Sequence, residues 1–205
     1  MKKKRTLKTY FRAAIGFIKN LIARLTGLIF YKRKYLRGKE FERFKYSNGW
    51  RYVMHNFFIQ KIIGYQRHIP YPVSFRMQVM NWENIHFDLD DISNFQKCGS
   101  YFQAASDAHI YIGKGTKIGP GVGIITANHN PKNLDEHLQG KDVVIGNNCW
   151  IGMNSVILPG VELGENTVVG AGSVVTKSFK DGFLVIAGNP ARVIKTLDRN
   201  DDENK

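Results

Sequence analysis

Between Ile112 and Val175 an aliphatic residue returns at every sixth position, and most of these residues precede a glycine. The register runs Ile112, Ile118 and Ile124, breaks at an insertion, and resumes as Ile145, Ile151, Ile157, Leu163, Val169 and Val175. Four residues after most of them stands a small or β-branched side chain, among them Thr116, Cys149, Ser155, Thr167 and Ser173. A six-residue period fits neither the 3.6 of a helix nor the alternation of a simple strand. It fits a short strand and a turn wound repeatedly around a coil, which is a parallel β-helix. Glycine supplies corners where φ turns positive.

The chain has 205 residues, enough for one domain or one and a half with a sizeable core. Its net charge of +13 suggests a nucleic-acid partner until it is divided along the chain. Residues 1–45 hold fifteen Lys or Arg against Glu40 and Glu42, which accounts for the whole excess. The other 160 residues are neutral, so the repeat has no basic face to offer a nucleic acid. Two cysteines, Cys98 and Cys149, are too few for a disulfide scaffold and point to the cytoplasm. The opening MKKKR is basic, but no clean apolar stretch or small-residue cleavage site follows, which argues against a secretion signal. Charges interrupt every apolar run of 18 residues, so no spanning helix is expected.

Residues 1–45 read as a basic helical arm. Ile15, Ile18, Ile22, Leu25 and Ile29 recur at spacings of three and four and share one face. Such a stripe must be covered, either by an anionic membrane surface or by packing on the β-helix or a neighbouring subunit. Residues 46–100 are aromatic-rich and read as an irregular lead-in with degenerate coils near Val79 and Ile85. The β-helix proper is expected over 101–186, with residues 130–142 (NPKNLDEHLQGKD) pushed out as a polar loop. Loops extruded from rigid scaffolds often carry chemistry. Residues 187–205 are expected to form a turn, a short closing helix and a frayed tail.

The runs WIG, LPGV, GAGSVVTK and GNPA, in this order, resemble the hexapeptide-repeat acyltransferases, in particular the galactoside, maltose and capsule-sugar O-acetyltransferases. The similarity is strong over residues 99–195 and slight before them. It implies a mainly β fold, a left-handed parallel β-helix of triangular section. It also implies a homotrimer that binds acetyl-CoA in the groove between neighbouring subunits. In the galactoside and maltose enzymes a histidine just before the extruded loop is the general base. TANHN places His129 there, seventeen residues after Ile112.

That role makes chemical sense beside the resemblance. A sugar hydroxyl is a weak nucleophile, and an imidazole of pKa about 6.5 can take its proton in the transition state. The bland alternative is a turn histidine without a role. The family's orienting acidic residue would fall near Leu138, so this chain departs from the pattern. Glu136 and Gln139 are the nearest candidates, with Asp135 behind them, and a backbone carbonyl is the alternative. Gln103 stands roughly where the relatives position the acceptor. His109 and His137 read as surface or loop residues.

For the donor, the resemblance points to Gly152 and Gly170 as points of close backbone approach, with Ala171 and Ser173 beside the groove. Trp150 points outward and flanks either pantetheine or a subunit contact. Lys177 is the first candidate for the coenzyme phosphates, with Arg192 and Lys195 as further cations or solvated surface residues. No metal is expected, since His109, His129 and His137 lack the histidine spacing of the zinc enzymes built on this coil. The expected reaction is acetyl transfer to a sugar hydroxyl on a surface-polysaccharide or lipid-linked saccharide. The alternatives are N-acetylation of an amino nucleotide sugar and a non-catalytic assembly role. The expected location is the cytoplasm, with attachment to the inner membrane face through residues 1–45.

Overall fold

A computed structural model describes residues 7–42 and 45–199, so MKKKR and the end of the polar tail lie outside the described residues. The chain forms two compact units, Met1–Phe75 and Arg76–Lys205. The boundary therefore falls inside the expected lead-in rather than at 45 or 100.

Three parallel walls make up the second unit as a left-handed β-helix. The first contains Gln78–Met80, Tyr101–Gln103, Gly123–Ile125, Val156–Ile157 and Val174–Val175. The second contains Ile85–Phe87, Ile110–Ile112, Val143–Ile145 and Glu162–Leu163. The third contains Lys117–Ile118, Trp150–Ile151, Val168–Val169 and Leu184–Gly188. Stacked partners in the regular coils lie eighteen residues apart, as in Ile145–Leu163, Ile151–Val169 and Ile157–Val175. Three hexads thus make one turn, and every hexad aliphatic points inward. Ile118, Ile124, Ile145, Ile151, Ile157 and Val175 are all buried. Each buried aliphatic contributes about 1.5–3 kcal/mol, which compensates strands of only two or three residues. The degenerate coils near Val79 and Ile85 are present as the first strands of the first two walls.

Corner residues satisfy the backbone. Thr116 Oγ1 donates to the Gly146 carbonyl at 2.7 Å and Ser155 Oγ to that of Gly170 at 2.9 Å. Asn148, Asn154 and Asn166 turn three corners with φ of 54°, 57° and 53°, a region asparagine tolerates better than most residues. Asn94 closes the free edge of the third wall by accepting from Ile118 N and donating to the Thr116 carbonyl. Covering an edge in this way removes a template for unwanted strand pairing.

The C-terminal segment corrects the expected helix. Ala191–Thr196 is a strand that runs antiparallel to Leu184–Gly188. Val193, Ile194 and Thr196 favour extended backbone, and the strand pairs with the other edge of the third wall. The insertion is also more ordered than a loop, because His129–Asn130 and Asn133–His137 form an antiparallel hairpin.

Helices build the first unit, which corrects the irregular reading of residues 46–63. Helix α1 spans Leu7–Phe30, helix α2 spans Asn48–Phe57, and a π-helical turn follows at Phe58–Ile63. Between Phe11 and Phe30 only Asn20, Ala23 and Gly27 are buried. A Cβ on Gly27 would stand 3.1 Å from the Trp50 ring and 3.7 Å from Val53, so its small size sets the approach to α2. Tyr31 donates to Gln60 Oε1, and Gln60 bonds the backbone of Tyr71 and Val73. The stripe Ile15, Ile18, Ile22, Leu25 and Ile29 is exposed. Over Phe11–Phe30, α1 is long and apolar enough to cross a membrane by length and composition, although charges interrupt it.

Candidate active site

The hairpin leaves the coil after the buried pair Thr126 and Ala127. Two backbone bonds tie its base: Leu138 N donates to the Asn128 carbonyl and Lys141 N to that of Thr126. Its tip is Asn130–Pro131–Lys132–Asn133, where Asn130 Oδ1 accepts from Lys132 N at 3.0 Å. Proline after asparagine suits such a turn, because its φ is preset and the asparagine side chain imitates a backbone acceptor.

His129 stands on the first strand with its ring exposed. Its Nδ1 lies 2.8 Å from the backbone carbonyl oxygen of Leu134. A carbonyl can only accept, so Nδ1 carries the proton in this bond. In the neutral ring Nε2 then keeps the lone pair, the arrangement a general base requires. Glu136 accepts from Asn130 Nδ2 at 3.2 Å and braces the hairpin. Gln139 lines a neighbouring cavity.

That cavity has a volume of about 480 Å³ and is bounded by Asn81, Gln103, Asp107, His137 and Gln139, among others. His137 is exposed on the extruded segment, as expected, and its ring centroid lies 4.2 Å from that of His129. The two histidines are eight positions apart and meet because the hairpin pairs their backbones. Reading the NPKN turn as a hairpin tip would have brought them together from sequence. Gln103 Oε1 is buried and has no hydrogen-bond partner among the described residues. A buried acceptor left unmatched costs about 1–3 kcal/mol, which a donating ligand would recover.

The expected donor residues separate into exposed and internal ones. Trp150 is 59% exposed on the third wall. It lies in a lateral row with Lys117, Val168, Val185 and Lys195. Ala171, Lys177 and Arg192 are also exposed. Lys177 Nζ sits 5.5 Å over the Phe179 ring, and Arg192 Nη1 donates to the Ala191 carbonyl.

Ser173 is a correction. It is fully buried, donating to the Gly170 carbonyl at 2.6 Å and accepting from Gly188 N at 3.2 Å, because its hexad position faces inward. The glycines also have a different reason to be glycine. A Cβ on Gly152 would stand 2.6 Å from Ala171 N and Val169 O, and one on Gly170 would stand 2.8 Å from Ala187 Cβ. The neighbouring coil takes the space that a bound ligand was expected to need. Cys149 is buried, which pushes its thiol above the usual range and makes it a poor nucleophile. Among the described residues no three His, Cys, Asp or Glu gather as a metal site.

Comparison with known proteins agrees with this architecture. Residues 142–177 match the family described as bacterial transferase hexapeptide (six repeats). The chain is 36% identical over 123 residues to a galactoside O-acetyltransferase of Lactococcus lactis, covering 58% of this chain and 56% of that one. It is also 36% identical over 122 residues to a galactoside O-acetyltransferase of Escherichia coli, covering 58% of this chain and 57% of the other. The chain thus spans little more than half the length of these relatives. A maltose O-acetyltransferase structure from Clostridium difficile 630 is 34% identical, covers 62% of this chain and 70% of its own, and superposes partially, with a TM-score of 0.42. Residues 142–177 of the second unit are therefore a bacterial transferase hexapeptide repeat, in a chain similar over 58% of its length to the galactoside O-acetyltransferases.

Proposed function

We propose that this protein transfers an acetyl group from acetyl-CoA to a sugar hydroxyl, with His129 as general base. The observation that carries this reading is the 2.8 Å contact between His129 Nδ1 and the Leu134 carbonyl. It fixes the tautomer in which Nε2 keeps the lone pair, on a residue left exposed. The hydroxyl proton passes to Nε2 as its oxygen bonds to the acetyl carbon, the C–S bond breaks, and the imidazolium returns the proton to the departing thiolate. Backbone N–H groups stabilise the charge developing on the thioester oxygen, typically worth about 3–4 kcal/mol per donor. Gln103, with its unmatched acceptor, takes a hydrogen bond from the sugar.

Trp150 and Ala171 flank the donor, and Lys177, with Arg192, meets its phosphates. The donor groove is completed by a neighbouring subunit of a homotrimer. The acceptor is a surface-polysaccharide or lipid-linked saccharide, modified in the cytoplasm. Thiol release from acetyl-CoA, followed with a panel of hydroxyl and amine acceptors, tests the reading. Turnover with sugar hydroxyls supports it. Turnover confined to amino sugars replaces O- by N-acetylation, and no coenzyme A binding by calorimetry overturns the enzymatic reading.

A further inference from the structure

Helix α1 is built with its large apolar side chains outward and its small ones against α2. Phe11, Ile18, Ile22, Leu25 and Ile29 are 67%, 54%, 47%, 53% and 71% exposed. Projected at about 100° per residue, these five together with Phe17, Leu21 and Leu28 fill an arc of roughly 140°. Asn20, Ala23 and Gly27, the buried face, lie on the opposite side. The three cations between Phe11 and Phe30 are not scattered. Arg12 and Lys19 lie roughly 60–80° beyond one edge of the arc, and Arg24 lies about 20° from the other.

A cavity of about 250 Å³ opens at the Arg24 border. Its lining includes Arg24, Arg33 and Arg37 beside Trp50, with no carboxylate among the lining residues. Leu28 belongs both to the apolar arc and to this lining, so the two surfaces are continuous. Three guanidiniums around one small space suit a phosphate, which offers each of them an acceptor. Beside them, a wide apolar arc flanked by cations suits the interface of a bilayer, where acyl chains meet anionic headgroups.

We propose that α1 lies in the plane of an anionic membrane, its apolar arc in the acyl boundary and a lipid phosphate held by Arg24, Arg33 and Arg37. A spanning orientation would place Lys19 and Arg24 inside the hydrocarbon at large cost. Lying flat keeps both out of the hydrocarbon and leaves α2 on the water side. This attachment is independent of the acetyl-transfer reading, and its test uses no enzymatic readout.

The full chain is floated with phosphatidylglycerol–phosphatidylcholine vesicles and with phosphatidylcholine alone. Binding to the anionic vesicles is expected, and binding to neither overturns the proposal. The triple variant Ile18→Glu, Ile22→Glu, Leu25→Glu changes only exposed side chains, so its melting temperature stays and its binding falls at least about tenfold. Wild-type binding by this variant defeats the proposal. A smaller assembly in sedimentation also defeats it, by showing that a second copy covers the arc. Arg33→Gln with Arg37→Gln weakens binding to the anionic vesicles alone; an unchanged preference removes the phosphate site. Inorganic phosphate, at an ionic strength matched with chloride, leaves binding intact, whereas selective displacement assigns the pocket to a free anion. An environment-sensitive dye at Phe11→Cys, Ile18→Cys or Ile29→Cys, in a Cys98→Ser background, reports similar depth at all three sites. A mid-helix maximum of depth establishes a spanning helix instead.

Discussion

The carbonyl of Leu134 lies 2.8 Å from Nδ1 of His129, across a hairpin that the coil extrudes between its first and second walls. A main-chain group thus meets the imidazole, the alternative left open beside Glu136 and Gln139. Replacing His129 by Ala is expected to lower acetyl transfer by at least about 10²-fold without loss of the fold, as measured by thiol release and circular dichroism. Glu136→Gln is expected to retain most activity, since Glu136 bonds Asn130 instead. A loss comparable to that of His129→Ala would return the orienting role to the carboxylate.

Gln103 offers a sharper test of the acceptor side. Its Oε1 is buried without a partner, so Gln103→Leu removes an uncompensated polar group. Stability is expected to hold or rise, while KM for the sugar rises by about tenfold, the equivalent of one hydrogen bond of about 1.4 kcal/mol. Unchanged KM for the sugar would separate this cavity from the acceptor.

Ser173 tests the coil interior. Ser173→Ala removes a bond to the Gly170 carbonyl and leaves Gly188 N without its acceptor. A destabilisation of about 1–3 kcal/mol is expected in denaturant unfolding, with KM for acetyl-CoA unchanged. A raised KM at full stability would restore the serine to the donor groove.

A pH response is expected from the second wall. His86 and His109 face each other with ring nitrogens 3.0 Å apart, and both rings stack near Tyr111. Burial and the neighbouring His109 lower the pKa of His86, and Asp142 opposes them. A lowered histidine pKa means that the unfolded chain binds more protons just below the ordinary value of about 6.5. Stability should therefore fall as pH drops through that value towards the depressed folded one. His86→Phe keeps a stacking ring and should flatten this part of the melting-temperature profile; an unaltered profile would assign the acid sensitivity elsewhere.

Much of the coil was legible because its constraint is periodic. An inward aliphatic every sixth residue leaves no other register, and Ile145, Ile151 and Ile157 lie where the spacing puts them. The candidate base was readable from its place at the foot of the insertion. Less was readable where a contact depends on pairing at a distance. Ser173 looked available beside a groove because spacing alone does not say that its hydroxyl turns into the prism. Val193 and Ile194 were assigned to a helix because the wall edge that recruits them as a strand appears only once the coils are stacked.

The primary structure by itself determined the prism and the segregation of basic residues into the first forty-five positions, since hydrophobic period and charge are properties of order along the chain. Tertiary structure alone decided what touches the imidazole, where the glycines' missing side chains would collide, and which face of α1 stays bare. Those outcomes are set by three-dimensional proximity: a carbonyl, a neighbouring coil and a second helix reach their places only through residues remote in sequence.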